Sequence, residues 1–403
     1  MKRCELVYMD AKSSKFWNLE LNGSRHSLAY GRIGTDGQKK EKDFDSEEKA
    51  EAAFHKLVKE KMAKGYVEAA GSGVESCGHV SNDTNLPLIS FSSINHKDEV
   101  YDNVKTFVGK RVLDYDPEKA SRDTSKLIYR FRSDWDEDVC EEHLKHFIDS
   151  DASLEATGII IGAWHGDDPE NSPESVIKLL IDNKERLPKL AAIYLGDITS
   201  EENEMSWIYQ TDVSPLFEGF PQLQLLRTRG GQDLALSKPD HPNLRALALE
   251  SGGLPVEVIR SICTSNFPNL EYLEIWLGTD EYGGNSSVQD LQPILAGKLF
   301  PKLKYLGLRN CDYVDDIAGV IVNSPIIDRI ETLDLSLGTL TDAGAKALLS
   351  LPQNGTLKKL NIHHHYVSGS LVKELNQLDI AVDTSNPSEM EDDDEWRFVA
   401  VGE

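Results

Sequence analysis

The chain has 403 residues, and its 39% hydrophobic and 28% charged residues are typical of a folded, soluble protein with two or more domains. Its apolar runs, such as "GIIIGAW" around Ile160, are far shorter than the roughly 20 residues that span a bilayer. Glu5 interrupts the N-terminus before a secretory apolar core develops, and the five cysteines include no C-x-x-C pair. The composition therefore predicts a cytoplasmic protein with reduced thiols, without a signal peptide or transmembrane helix.

Charge is divided unevenly along the chain. The net charge is -25, but residues 1–70 carry 14 Lys and Arg against 12 Asp and Glu. All of the excess acid therefore lies after residue 70. Phosphate binding depends on Lys and Arg, so any contact with a nucleic acid is expected in the N-terminal region.

A small antiparallel sheet closed by one helix is predicted for the first 70 residues. Alternating apolar residues in "KFWNLELNG" predict a strand, and "TDG" in "YGRIGTDGQ" suits a hairpin turn. Ser46 is a good N-cap, after which Ala50, Phe54 and Leu57 recur at helical spacing. The helix is expected to end at Gly65.

The aromatic-Gly-Arg triplet in "YGRIGTDGQ" resembles the central element of a WGR domain, and the resemblance covers residues 1–70. In poly(ADP-ribose) polymerases the WGR domain helps to hold a DNA break, with its aromatic residue at the strand end and its Arg in polar or interdomain contacts. The resemblance implies these roles for Tyr30 and Arg32. Tyr30 replaces the usual Trp, which reduces the stacking area and weakens the implied DNA contact. Nothing in the chain resembles the polymerase's catalytic domain.

The candidate nucleic-acid contacts are accordingly Tyr30, Gly31, Arg32, Lys39 and Lys40. A structural alternative stands beside this interpretation, in which the Tyr30 ring packs on the sheet and Arg32 hydrogen-bonds loop carbonyls. The lysines that follow the glycine loop are equally consistent with a solvated strand.

Beyond the first domain, composition and pattern divide the chain into four further parts. Residues 71–85 are rich in Gly, Ser and Asn and are predicted to be a flexible linker. Residues 86–150 contain the strand-like "KLIYRFR" and the helical "DVCEEHLKHFIDS", and are predicted to cap a repeat array. Residues 151–382 are predicted to form that array, and residues 383–403 an acidic tail followed by a cap strand.

The repeat is carried by the spacing L-x-x-L-x-L, as in "LEYLEIW" and "LKYLGLRNC". This resembles the ribonuclease-inhibitor type of leucine-rich repeat, which implies an α/β fold, a right-handed solenoid with parallel strands and convex helices. Strings such as "NIHHHY" and "FVAVGE" also resemble an uncharacterised bacterial leucine-rich-repeat family. Each predicted strand starts at one of seven apolar positions, namely Leu190, Leu223, Leu244, Leu270, Leu303, Ile330 and Leu357.

In such a solenoid the side chains between the leucines face the concave surface, where a protein partner binds. Tyr272, Trp276, Tyr305 and Arg309 would form an aromatic and Arg patch typical of interface hot spots. Alternatively, the loop "GTDEYGGNSS" covers Trp276. The full set of predicted concave residues is Tyr194, Arg227, Arg229, Glu250, Tyr272, Glu274, Trp276, Tyr305, Arg309, Asp334, Lys359, Asn361 and His363.

Two groups of residues are considered as metal sites. His363, His364 and His365 are consecutive, so at most two of them could easily meet one ion, and His365 suits a buried structural position. His165, Asp167 and Asp168 follow a strand in "AWHGDDPE", but Asp168 before Pro169 is also ordinary turn chemistry. No phosphate loop, nucleophile elbow or H-E-x-x-H motif is present in the sequence.

These patterns predict a non-enzymatic adaptor without a cofactor. Its concave face would bind a protein partner, and its WGR domain would provide a second contact. One alternative is binding of a DNA end or nick through the WGR domain, and a second is a metal-dependent enzyme. A membrane or a small molecule is not expected as a partner.

Overall fold

The computed structural model describes residues 2–10, 13–32, 38–44, 46–47, 49–50, 53–54, 57, 61, 67–68, 100–120, 124–133, 138–166, 168–237, 239–352, 355–388 and 397–402. The chain divides into two compact units, residues 1–85 and residues 86–403. Both combine strands with helical segments, so the fold is mixed α/β. Within the described ranges, every helix is too short or too polar to cross a membrane.

The smaller unit contains one antiparallel sheet with the strand order β4-β3-β2-β1-β5. Strands β1 to β3 pair over almost their full lengths, with Leu19 opposite both Cys4 and Leu28. The strands are β1 (Lys2–Asp10), β2 (Ser13–Asn22), β3 (Arg25–Arg32), β4 (Gln38–Asp43) and β5 (Val67–Glu68).

Apolar residues on one face of β2 form the core of this unit. Trp17, Leu19 and Leu21 are buried together with Ala50 and Phe54. The described residues between 47 and 61 are helical, and the Lys49 amide donates to Ser46 Oγ over 3.2 Å. The alternation and the N-cap thus predicted this part of the sheet and helix correctly. The "TDG" turn and Gly65 lie outside the described residues.

The larger unit is built on a sheet of twelve strands arranged in chain order from β17 to β6. Neighbouring strands from β7 to β17 are parallel, and β6 is antiparallel to β7. The strands are β6 (Thr106–Phe107), β7 (Lys110–Asp114), β8 (Leu127–Phe131), β9 (Gly158–Ile161), β10 (Ala192–Leu195), β11 (Leu225–Arg229), β12 (Ala246–Glu250), β13 (Tyr272–Gly278), β14 (Tyr305–Cys311), β15 (Thr332–Asp334), β16 (Lys359–Asn361) and β17 (Ala381–Asp383).

Short helices connect most of these strands. Their apolar faces pack with the leucine side chains of the sheet in one continuous core. The helices are α1 (Cys140–Asp149), α2 (Glu174–Asp182), α3 (Ser214–Gly219), α4 (Val256–Cys263), α5 (Gln292–Leu295), α6 (Val314–Ile321), α7 (Asp342–Leu348) and α8 (Gly369–Leu375). Single 3-10 turns occupy Asp151–Glu155, Lys184–Arg186, Met205–Trp207, Asp280–Tyr282 and Pro325–Asp328.

The seven apolar positions that were expected to start strands lie two residues before them. Leu270, for example, precedes β13, and its Leu273 and Ile275 point into the same core. The spacing therefore predicted the strands and their buried face, with the same small offset each time. The sheet runs from residue 106 to residue 383, so the predicted capping region contributes three of its strands.

Candidate functional site

The side chains between the leucines form the second face of the large sheet, which we call the non-leucine face. They were predicted to line an exposed concave surface, and this prediction is wrong for all of them except the partly exposed Lys359. The predicted residues that are instead buried on the non-leucine face are Tyr194, Arg227, Arg229, Glu250, Tyr272, Glu274, Trp276, Tyr305, Arg309, Asp334, Asn361 and His363.

Neighbouring strands neutralise each other's charges on this face. Arg227 Nε donates to Glu250 Oε1 over 2.5 Å, and Arg229 Nε donates to Glu250 Oε2 over 2.8 Å. The Arg227 guanidinium also lies 4.2 Å from the centroid of the Tyr194 ring. A single carboxylate on β12 is thus bound by two guanidinium groups on β11, and its charge is satisfied inside the protein.

A second cluster joins β13, β14 and β15. Arg309 Nη1 donates to Glu274 Oε1 over 2.7 Å, and Arg309 Nε lies 3.5 Å from Asp334 Oδ1. The rings of Tyr272 and Tyr305 stack with centroids 4.0 Å apart. The Tyr272 hydroxyl donates to Glu274, and the Tyr305 hydroxyl donates to Asp334 Oδ2 over 2.8 Å. Every aromatic and Arg side chain of the predicted hot-spot patch is therefore used within the sheet.

The arginines also determine the protonation of these buried acids. Burial alone would raise the pKa of Glu250, but Arg227 and Arg229 outweigh it and hold that pKa below its ordinary value. Burial acts in the same way on Asp334, where Arg309 and the Ser336 hydrogen bonds lower the pKa. Both carboxyl groups are therefore ionised at neutral pH and serve as structural counter-ions.

Two segments distant in sequence help to cover the non-leucine face. Val104 and Phe107 pack with the aromatic rings of one part of it. Trp276 is buried in a cluster with Met205, Leu337 and Val401. Because this face is buried, its residues are not available to bind a protein partner, contrary to the prediction.

Residues 397–402, which we call the C-terminal segment, are held at the edge where the parallel strands end. Asn310 Nδ2 donates to the Val401 carbonyl over 2.5 Å, and the Val401 amide donates to Asn310 Oδ1 over 3.1 Å. The Ala400 amide donates to the Leu337 carbonyl over 2.8 Å. The segment thus packs on the larger unit as predicted for a fold-back, but it forms no strand.

Three large apolar side chains, which we call the aromatic rim, are exposed at this same edge. Tyr101 is 66% exposed, Trp207 is 56% exposed and Phe398 is 65% exposed. Tyr101 and Phe398 line a cavity of about 600 Å³, and Trp207 lines an adjacent one of about 450 Å³. The two cavities share Glu281 and Tyr282 in their linings, so they lie side by side at this edge, and we refer to them together as the groove.

Three carboxylates, which we call the acidic edge, line the larger cavity. They are Asp280, Glu281 and Asp312, and all three are exposed. Partial burial and the neighbouring Asp280 raise the pKa of Asp312. In the part of the chain that the structure describes, none of the three forms an ion pair with Lys or Arg. The three carboxylates outnumber Arg397, an exposed cation that lines the same cavity, so the groove combines aromatic surface with an excess of negative charge.

Sequence reasoning missed this groove because its residues come from separate loops. Trp207 in "EMSWIY" and Phe398 in "WRFVAV" stand outside the repeat pattern. Their aromatic side chains outside any periodic pattern are the one signal that the sequence offers for them.

The smaller unit brings together only part of the predicted nucleic-acid set. Tyr30 packs against the core, its hydroxyl donates to Gln38 over 2.9 Å, and Lys40 Nζ lies 5.7 Å from its ring centroid. Lys39 is exposed on the opposite face of β4. Gly31 and the backbone of Arg32 lie in β3, and the Arg32 side chain is outside the described residues.

The histidine residues make structural contacts. Both ring nitrogens of His365 are used, one facing the Thr384 carbonyl at 3.1 Å and the other accepting from the Val367 amide at 3.0 Å. His363 Nδ1 lies 3.1 Å from Asn361 Oδ1, and His165 Nδ1 lies 3.1 Å from the Gly166 carbonyl. Among the described residues no three His, Cys, Asp or Glu side chains are grouped to hold a metal, and Asp167 is not among those residues.

Residues 2–73 match the family described as WGR domain, which confirms that prediction. Over 62 residues the chain is 40% identical to Uncharacterized protein YfeS of Escherichia coli, and over 64 residues it is 42% identical to Protein YehF of the same organism. These matches cover 15% and 16% of this chain. The chain spans only 25% and 23% of the length of those relatives.

A crystal structure from Bacteroides fragilis, a target of the Northeast Structural Genomics Consortium, is similar to almost the whole chain. The two are 29% identical with a TM-score of 0.60, over 96% of this chain and 97% of the other. The likeness therefore includes the large parallel sheet, for which the WGR match gives no information.

The charge network predicts that Glu250→Ala destabilises the larger unit by about 3–5 kcal/mol, because two buried guanidinium groups lose their counter-ion. Glu331→Ala is the matched control. Its partner Lys358 is largely exposed, so a loss of about 1 kcal/mol or less is expected. Urea denaturation of the full chain measures both variants. Equal losses would show that the buried network does not contribute as described.

Proposed function

We propose that the protein is a non-enzymatic adaptor, in which a leucine-rich-repeat solenoid holds a protein partner and the WGR domain supplies a second contact. Regularly spaced leucines support the solenoid, since each precedes a parallel strand and points into one shared core. The likeness to the Bacteroides fragilis structure extends over the same residues.

The observation that carries the adaptor proposal is the aromatic rim. Large apolar side chains exposed together mark interaction surfaces, and Trp and Tyr are enriched at interface hot spots. The rim lies on loops at the ends of parallel strands, where a rigid sheet presents binding residues. These observations support a partner site at this edge rather than on the buried non-leucine face.

The proposal predicts that Trp207→Ala combined with Phe398→Ala removes at least one specific protein from those captured by the full chain. Losing two hot-spot anchors typically weakens an interface by about 2 kcal/mol or more. Affinity capture with quantitative mass spectrometry measures the loss.

Lys145→Ala with Lys178→Ala is the control for that capture experiment, because both lysines are exposed on helices away from the rim. It should retain every protein that the original chain captures. Identical captured sets for the rim variant and the control would contradict the adaptor proposal.

Nucleic-acid binding is a second candidate function, and the WGR domain is compatible with it. Lys39, Lys40 and Lys42 are exposed on β4. Lys40 lies beside Tyr30, so one face of the strand combines positive charge with an aromatic ring. Because Lys39 lies on the other face, its substitution serves as a control for substitution of Lys40.

For this candidate, Lys40→Glu should weaken binding of the full chain to nicked duplex DNA by about fivefold or more, because a phosphate contact becomes a repulsion. Lys39→Glu should have a smaller effect. Fluorescence anisotropy titrations at two salt concentrations measure both. Binding that is absent or independent of salt would rule out this function.

A further inference from the structure

We propose that the groove formed by the aromatic rim and the acidic edge binds an extended, cationic peptide segment of a partner protein. Apolar side chains of the segment would seat against the rim, and its Lys or Arg side chains would pair with the acidic edge. The inference rests on the adaptor function proposed above and adds the chemistry of the partner.

Hydrogen bonds hold the backbone at two of the three rim residues, although their rings are exposed. The Phe398 amide donates to Tyr366 Oη over 3.0 Å, and Tyr366 Oη in turn lies 3.1 Å from the Phe398 carbonyl. The Trp207 amide donates to the Glu204 carbonyl over 2.9 Å, and the carbonyl of the preceding Ser206 accepts from Gln232 over 3.0 Å. Anchors fixed before binding reduce the ordering cost that a partner must offset.

Some other surface acids of this unit are neutralised by basic side chains on neighbouring strands. Glu271, on the neighbouring surface, pairs with both Arg245 and Lys304. Glu331 pairs with Lys358. Within the described ranges the acidic edge forms no such ion pair, although Arg397 lines the same cavity, so its carboxylates can pair with cations of a ligand.

The charge of the chain favours the same ligand. Because the excess acid lies after residue 70, the field around this unit attracts cationic segments and repels nucleic acids and acidic peptides. The two cavities together exceed the size of a single side-chain pocket and lie side by side, with Glu281 and Tyr282 in both linings. This shape suits several consecutive residues of an extended chain.

The C-terminal segment forms one wall of the groove. Arg397, Val399 and Val401 all line the larger cavity, and Asn310 fixes the backbone of Val401 through two hydrogen bonds. A bound peptide would therefore lie alongside an extended segment that is already immobilised, between it and the Asp280–Tyr282 turn.

The test uses the full chain and three fluorescent ten-residue peptides that alternate Leu with Arg, Gln or Glu. Anisotropy should show the Arg peptide binding at least about tenfold more tightly than the Glu peptide, with affinity falling as salt rises. Asp280→Asn with Glu281→Gln should weaken the Arg peptide about fivefold. Glu185→Gln with Glu374→Gln, which removes two exposed acids elsewhere, should leave its affinity unchanged.

The outcomes separate the two proposals. Equal binding of all three peptides, lost in Trp207→Ala, would overturn the cationic ligand but leave the adaptor function standing. If no peptide binds but protein capture still requires Trp207 and Phe398, the cationic ligand would again be overturned and the adaptor function would stand. No peptide binding and no change in captured proteins would overturn both. A thermal melt of the Asp280→Asn, Glu281→Gln variant that matches the original chain confirms that weaker binding reflects the groove.

Discussion

Pairing of guanidinium and carboxylate groups between neighbouring strands is the interaction on which the larger unit depends. Burying a charge without a partner is costly, and each buried Arg and acid on the non-leucine face meets an opposite charge within the sheet. The leucines on the other face contribute apolar burial, but they do not pair one particular residue with another across neighbouring strands. The charge pairs therefore tie β11 to β12 and β13 to β14, so that the two faces stabilise the same strand order in different ways.

This pairing has a consequence for where binding takes place. Side chains that neutralise each other inside the sheet are not available to a partner, and Trp276 is covered by Met205, Leu337 and Val401. The exposed aromatic surface lies instead on loops at the ends of the strands. A rigid sheet with variable loops at one edge is a common arrangement for binding sites, because the sheet fixes the position of the loops.

The periodicity of the leucines was sufficient to predict the parallel strands, since the pattern depends on burial against a local helix. It was not sufficient to predict whether the opposite face is buried or exposed. Burial of that face depends on contacts between residues that are distant in sequence, such as Asn310 with Val401 and Val104 with Asp197. Likewise, the WGR motif identified the smaller unit correctly, but only the strand register separates Lys39 from Lys40. Trp207 and Phe398 follow no period, so their grouping became visible only in three dimensions.

Solvent accessibility of the tryptophans tests most directly whether binding belongs to the strand edge rather than the sheet face. Hydroxyl-radical footprinting of the full chain, read by mass spectrometry, reports oxidation at each aromatic residue. The account predicts rapid oxidation of Trp207 and Phe398, with Trp276, Tyr272 and Tyr305 protected. Oxidation of Trp276 at the same rate as Trp207 would show that the non-leucine face is open, and would contradict the account.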